Sequence, residues 1–210
     1  PLHRAEASGS LPAMPSLHQA NGLGGFTQEG SYVILPGESR DGIAPWCHIL
    51  ANDVFGTLVC ERGLLFSCAG NSRLARVTAV SQDSVRPALS EEYLLREGDR
   101  AWSLTPAPYH NARTRVSYEM GAAVYQCALP GMQATLTCLT DCEHPAGLRI
   151  LSLHNSGNEK RTLQYIAAVH FAMGEDGRGT RVWAEEGMAY AASPEMPGTA
   201  FFTLPGAQAH

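Results

Sequence analysis

No stretch of this sequence approaches the ~20 consecutive apolar residues that a bilayer-spanning helix requires. Residues 1–20 also lack the apolar centre of a signal peptide. Basic residues are few, 15 Lys and Arg against 20 Asp and Glu, and they are scattered; with a net charge of −5 and a pI near 5.9, nucleic acid is not an expected partner. No HxH or HExxH pattern occurs among the eight histidines, and no GxSxG nucleophile elbow is present. "GLGGF" (22–26) has the wrong glycine spacing for a phosphate-binding loop and reads as a tight turn entering a strand. Amphipathic stretches of ten or more residues with helical period are also missing, which excludes alternating βαβ units.

Six cysteines are present, Cys47, Cys60, Cys68, Cys127, Cys138 and Cys142, mostly within apolar runs. They read as reduced core thiols of a cytoplasmic protein. Cys138 and Cys142 have CxxxC spacing, but no second pair completes a zinc site, so no metal is assigned. Carboxylates cluster only along the chain, as Glu91 with Glu92, Asp141 with Glu143, and Glu185 with Glu186. Solvated strand ends and turns account for them, and no catalytic acid/base pair is evident.

What is there is a succession of short runs with the two-residue period of half-buried strands. They fall at 31–35, 47–52, 56–61, 64–69, 92–97, 100–105, 115–120 and 123–129. Residues 132–140 and 148–156 alternate most cleanly; 161–174 begins as a strand and is apolar on both faces. The last strand signals are 181–185, 188–192 and 200–204. The expected class is all-β, a two-sheet antiparallel sandwich, with a barrel as the alternative that pattern alone leaves open. Residues 1–20, rich in Pro, Ala and Ser, read as a flexible leader or linker, 36–42 as a loop, and 21–210 as the sandwich domain.

One loop departs from this economy. In "GNSRLAR" (70–76), Asn71, Ser72, Arg73 and Arg76 set amide, hydroxyl and guanidinium donors at the end of a strand. Planar multidentate donors of this kind bind sugar hydroxyls and phosphate. The alternative is a loop that ties itself down, with Asn and Ser bonding local backbone and an Arg paired with Asp83 or Glu61.

The motifs "NGLGGF" (21–26), "YVIL" (32–35), "APW" (44–46), "ILANDVFGTLVCERG" (49–63), "GNSRLARVT" (70–78), "EYLLRE" (92–97) and "WSLTPAP" (102–108) come in an order that resembles glycoside hydrolase family 94. The opening is most similar to the C-terminal, phosphorylase-like region of cyclic β-1,2-glucan synthases. The passage "LRILSLHNSGNEKRTLQYIAAVHFAMG" (148–174) fits the same family. The resemblance implies an N-terminal β-sandwich of the supersandwich type, followed in the parent protein by a helical linker and an (α/α)₆ barrel that carries the general acid. It implies a β-glucan oligosaccharide as substrate, inorganic phosphate as co-substrate, no other cofactor, and a homodimer. This chain would be the non-catalytic sandwich, with its last strands outside these residues as an open alternative. A free-standing carbohydrate-binding or dimerisation module is the other reading. The domain itself is expected to make no membrane contact, although its parent could be anchored at the inner membrane.

By the same resemblance, the loop around Asn71–Arg76 and the one after "AMG" (174–181) approach the sugar. Four departures stand out. The Trp expected at Val80 is missing, an aromatic is replaced by Cys68, and His48 stands where Asn is usual. The Arg expected after "AMG" is displaced, leaving Arg178 and Arg181 as substitutes. Fewer aromatic platforms mean weaker sugar stacking.

Overall fold

The computed structural model describes residues 3–4, 9–35, 44–109 and 113–206. The loop expected at 36–42 lies outside them. The described residues contain eighteen strands and no helix, so none is long and apolar enough to cross a membrane.

The first sheet contains β1 (His3–Arg4), β4 (Cys47–Ala51), β5 (Gly56–Cys60), β6 (Gly63–Cys68), β8 (Glu91–Glu97) and β9 (Arg100–Ser103), in the order β1-β9-β8-β6-β5-β4. Three more strands join it: β14 (Gln164–Val169) on β8, β7 (Arg76–Thr78) on β6, and β15 (Phe171–Gly174) on β7. The second sheet runs β13 (Gly147–Asn155), β12 (Met132–Thr140), β11 (Ala122–Leu129), β10 (Arg113–Glu119), β3 (Tyr32–Ile34) and β2 (Gly24–Phe26). A three-stranded meander follows: β16 (Arg181–Glu185), β17 (Met188–Ser193) and β18 (Met196–Thr203). Every pairing is antiparallel except β1 with β9. This is the expected all-β sandwich.

The period-two pattern explains the core. On β12, Met132, Ala134, Leu136 and Cys138 are buried, and their alternate neighbours are not. Ala123, Tyr125 and Cys127 do the same on β11, which ends with Ala128 and Leu129 both buried. They pack against Leu50, Val59, Leu64, Tyr93, Leu95 and Trp102 of the first sheet. A fully buried Leu or Phe contributes about 1.5–3 kcal/mol, so this interface dominates the stability. Two polar tips bond across it: Tyr125 donates from its hydroxyl to the Cys60 carbonyl at 2.7 Å, and Cys127 Sγ to the Leu104 carbonyl at 3.0 Å. All six cysteines are free thiols. Cys60, Cys127 and Cys138 are buried as expected, but Cys47 and Cys142 are exposed: one opens an edge strand and the other sits in a turn.

Residues 9–17 have no regular structure but lie against the second sheet. Arg115, 5% exposed, donates from Nη1 to the carbonyls of Pro12 (3.1 Å) and Ala13 (3.2 Å), while its Nε and Nη2 hold Gln126 Oε1. Gln133 reaches the Ser10 carbonyl at 3.1 Å. His18 then forms a bridge with Phe26.

The expectation that Glu91 and Glu92 form a solvated strand end is corrected: Glu91 is buried, its carboxylate paired with Arg149. Adjacent residues on a strand face opposite ways, and here Glu91 takes the inward side, beside Tyr93, whose hydroxyl donates to it.

Candidate functional site

Strand pairing explains why the two loops expected near a sugar lie side by side. β7 is hydrogen-bonded to β6 on one side and to β15 on the other, with Arg76 opposite Cys68 and Gly174 opposite Arg76. The β6–β7 turn (70–75) and the loop leaving β15 (175–180) therefore leave one end of the sheet together.

The first turn is built by Asn71. Its Oδ1 accepts from the backbone N–H of Arg73 (2.9 Å) and Leu74 (2.8 Å), and the Ala75 N–H returns to the Asn71 carbonyl at 3.0 Å. This is the self-binding turn that Asn forms readily. Arg76 closes it: Nε donates to the Ser72 carbonyl at 3.0 Å, and Nη1 crosses to the Glu175 carbonyl at 2.9 Å. Arg76 is thus a staple between the two loops.

Arg73 is held differently. Its Nε meets Glu175 Oε1 at 3.2 Å, and the side chains are 77% and 53% exposed. Such an exposed pair is worth about 0–1 kcal/mol, so a competing hydroxyl can displace it cheaply. The partner is Glu175, not Asp83 or Glu61. Asp83 instead caps its own turn, accepting from the N–H groups of Val85 and Arg86.

In the second loop, Arg178 pairs with Asp176 at 3.1 Å within the same loop. Gly174 starts this loop at φ +91°, and a Cβ there would meet Glu195 Oε2 at 2.7 Å. Glycine thus lets the β17–β18 turn press against the loop. Arg181 opens β16 and is exposed. Among the described residues, no hydrogen bond or ion pair joins Arg178 or Arg181 to the Asn71–Arg76 turn. The structure brings Arg73, Arg76 and Glu175 together; Glu175 was not among the expected residues, and its only signal was an acid directly after "AMG".

Behind these loops lies a cavity of about 480 Å³. Ala69, Val77 and Met173, at the roots of the loops, line it with Phe55, Tyr165 and Phe202. At its wall Arg149 holds Glu91 through two contacts of 3.1 Å, with side chains 9% and 6% exposed. Burial works most strongly, lowering the pKa of the Arg149 guanidinium, but the charge and hydrogen bond of Glu91 together with Tyr93 and Cys138 outweigh it and hold it above its ordinary value. Burial also pushes the Tyr93 phenol up, with the Glu91 charge adding to it. His48, where Asn was usual, stacks on Tyr118 at 5.0 Å and bonds the Glu119 carbonyl at 3.0 Å. That is a packing role.

Comparison with known proteins agrees with this architecture. The cyclic beta-(1,2)-glucan synthase NdvB of Rhizobium meliloti (strain 1021) is 24% identical over 161 residues, which is 74% of this chain and 6% of that protein. The family described as "Glycosyl hydrolase 94, supersandwich domain" matches residues 30–184. The two-sheet fold and this match over most of its length agree, and the chain belongs to the glycosyl hydrolase 94 supersandwich family.

Proposed function

We infer that this chain is the non-catalytic sandwich of a phosphorylase-like or glucan-synthase enzyme. In this reading the Asn71–Arg76 and 174–181 loops form one wall of a sugar cleft that a helical barrel completes. The observation that carries the reading is the pairing of Arg73 with Glu175 across two loops that leave the same sheet end. It presents an exposed guanidinium and an exposed carboxylate together, a planar donor beside an acceptor, which suits vicinal hydroxyls. Asn71 and Arg76 hold that pair in place. In the intact enzyme, inorganic phosphate would attack the anomeric carbon while an acid on the barrel protonates the leaving oxygen. The sandwich would also support a homodimer.

Two measurements test this. The 210-residue chain alone should release no glucose 1-phosphate from β-1,2-glucan; measurable release would overturn the non-catalytic assignment. In the intact parent enzyme, Arg73→Ala should weaken binding of the acceptor sugar by about 1.5–3 kcal/mol, the range for a charge-assisted hydrogen bond. Unchanged sugar affinity would remove the cleft reading.

A further inference from the structure

The meander β16–β18 has two unlike faces. Ala189, Ala191, Ala200 and Phe202 pack inward with Phe171 and Met173. The register sets Trp183 opposite Tyr190, and Tyr190 opposite Phe201, so these three rings share the other face. Trp183 and Tyr190 are nearly parallel, at 11°, with centroids 5.5 Å apart, and Phe201 follows at 6.4 Å. Trp183 is 40% and Phe201 64% exposed. The result is an aromatic stripe running across three strands in the open.

Residues two positions away on a strand share its face, so Arg181 and Glu185 flank Trp183, and Thr199 and Thr203 flank Phe201. A stripe of rings bordered by a guanidinium, a carboxylate and hydroxyls matches the chemistry of a pyranose chain. The C–H faces of the sugar rest on the aromatic rings, and its hydroxyls reach the polar border.

Size argues the same way. Three strands about 4.8 Å apart and five residues of about 3.3 Å give a face of about 250 Å². The span along the strands suits two or three sugar units.

We propose that the outer face of β16–β18 is a glucan-binding platform, with Trp183, Tyr190 and Phe201 as stacking rings and Arg181 and Glu185 as hydroxyl partners. It takes consecutive pyranose units of a β-glucan. The proposal rests on the reading of this chain as part of a glucan-handling protein.

The test is titration of the full 210-residue chain with linear β-1,2-gluco-oligosaccharides and with cello-oligosaccharides, followed by calorimetry and by tryptophan fluorescence. Trp102 is buried and Trp46 half-buried, so the exposed Trp183 should give most of the change. Trp183→Ala and Phe201→Ala should each lower affinity about tenfold or more. Trp183→Tyr should retain most of it. Melting curves confirm that each variant is folded. Binding that survives Trp183→Ala and Phe201→Ala overturns the platform, as does failure of the unmodified chain to bind either glucan. Binding lost only in Arg73→Ala also overturns it, while leaving the cleft reading intact. A dimer that Trp183→Ala converts to a monomer would make the face a subunit contact and end the proposal.

Discussion

Glu91 and Arg149 belong to different sheets, β8 and β13, and their two 3.1 Å contacts form a charged bond between them at the edge of the apolar core. Removing one partner of such a pair leaves the other buried without compensation, at a cost of about 3–5 kcal/mol. Replacing both with apolar groups of similar volume is often neutral or stabilising. Glu91→Leu should therefore unfold in urea at a much lower midpoint, while Glu91→Leu with Arg149→Met recovers most of the loss. A single variant that costs less than about 1 kcal/mol would mean that water reaches the pair.

The two loop arginines should separate in a thermal melt. Arg76→Ala removes two bonds to carbonyls, one in each loop, and should cost about 1–2 kcal/mol. Arg73→Ala loses only an exposed ion pair and should stay within about 0.5 kcal/mol. Equal losses would mean that Arg73 also holds the loops.

Acid should act through Asp141, whose carboxyl is held down at about 2 by the N–H groups of Glu143 and His144 and by the His144 side chain. Its folded value lies below the unfolded one, so its contribution is present above about pH 4 and is lost as pH falls through about 2. Asp141→Ala should lower stability at neutral pH, and the gap to the unmodified chain should close near pH 2. Urea curves across that range would show it; a gap of constant size would place the effect elsewhere.

Thiol labelling should divide the cysteines. Burial raises Cys60, Cys127 and Cys138 to about 12, so at pH 8 they are protonated as well as enclosed. Cys47 and Cys142 are exposed. An aromatic disulfide reagent should modify those two first, and reach the three buried thiols only when the chain unfolds. Rapid labelling of Cys127 in the native protein would contradict the packing described.

Much of the sandwich was legible because its strands face a core on one side. On β12, Thr135 and Thr137 alternate with Ala134, Leu136 and Cys138, and no helix shares that period. β7 escaped notice because three residues are too few to show a period, although it is the strand that brings the two loops together. The turn chemistry of Asn71 could be read locally. Arg73's true partner could not, since Glu175 stands 102 residues further along the chain. For the same reason Glu91 looked solvated: its partner lies 58 residues away on the other sheet. The ladder of Trp183, Tyr190 and Phe201 depends on the register of three strands, which no single segment encodes.

The clamp of Arg115 on Pro12 has a consequence for how the protein is made. The two residues are 103 positions apart, so the carbonyls that Arg115 will hold leave the ribosome long before it does. At about 5–20 residues per second, the first segment waits about 5–20 s for its partner. Through that interval residues 9–14 have no β10 to lie against and are open to chaperones and proteases. Their docking waits until β10 has emerged.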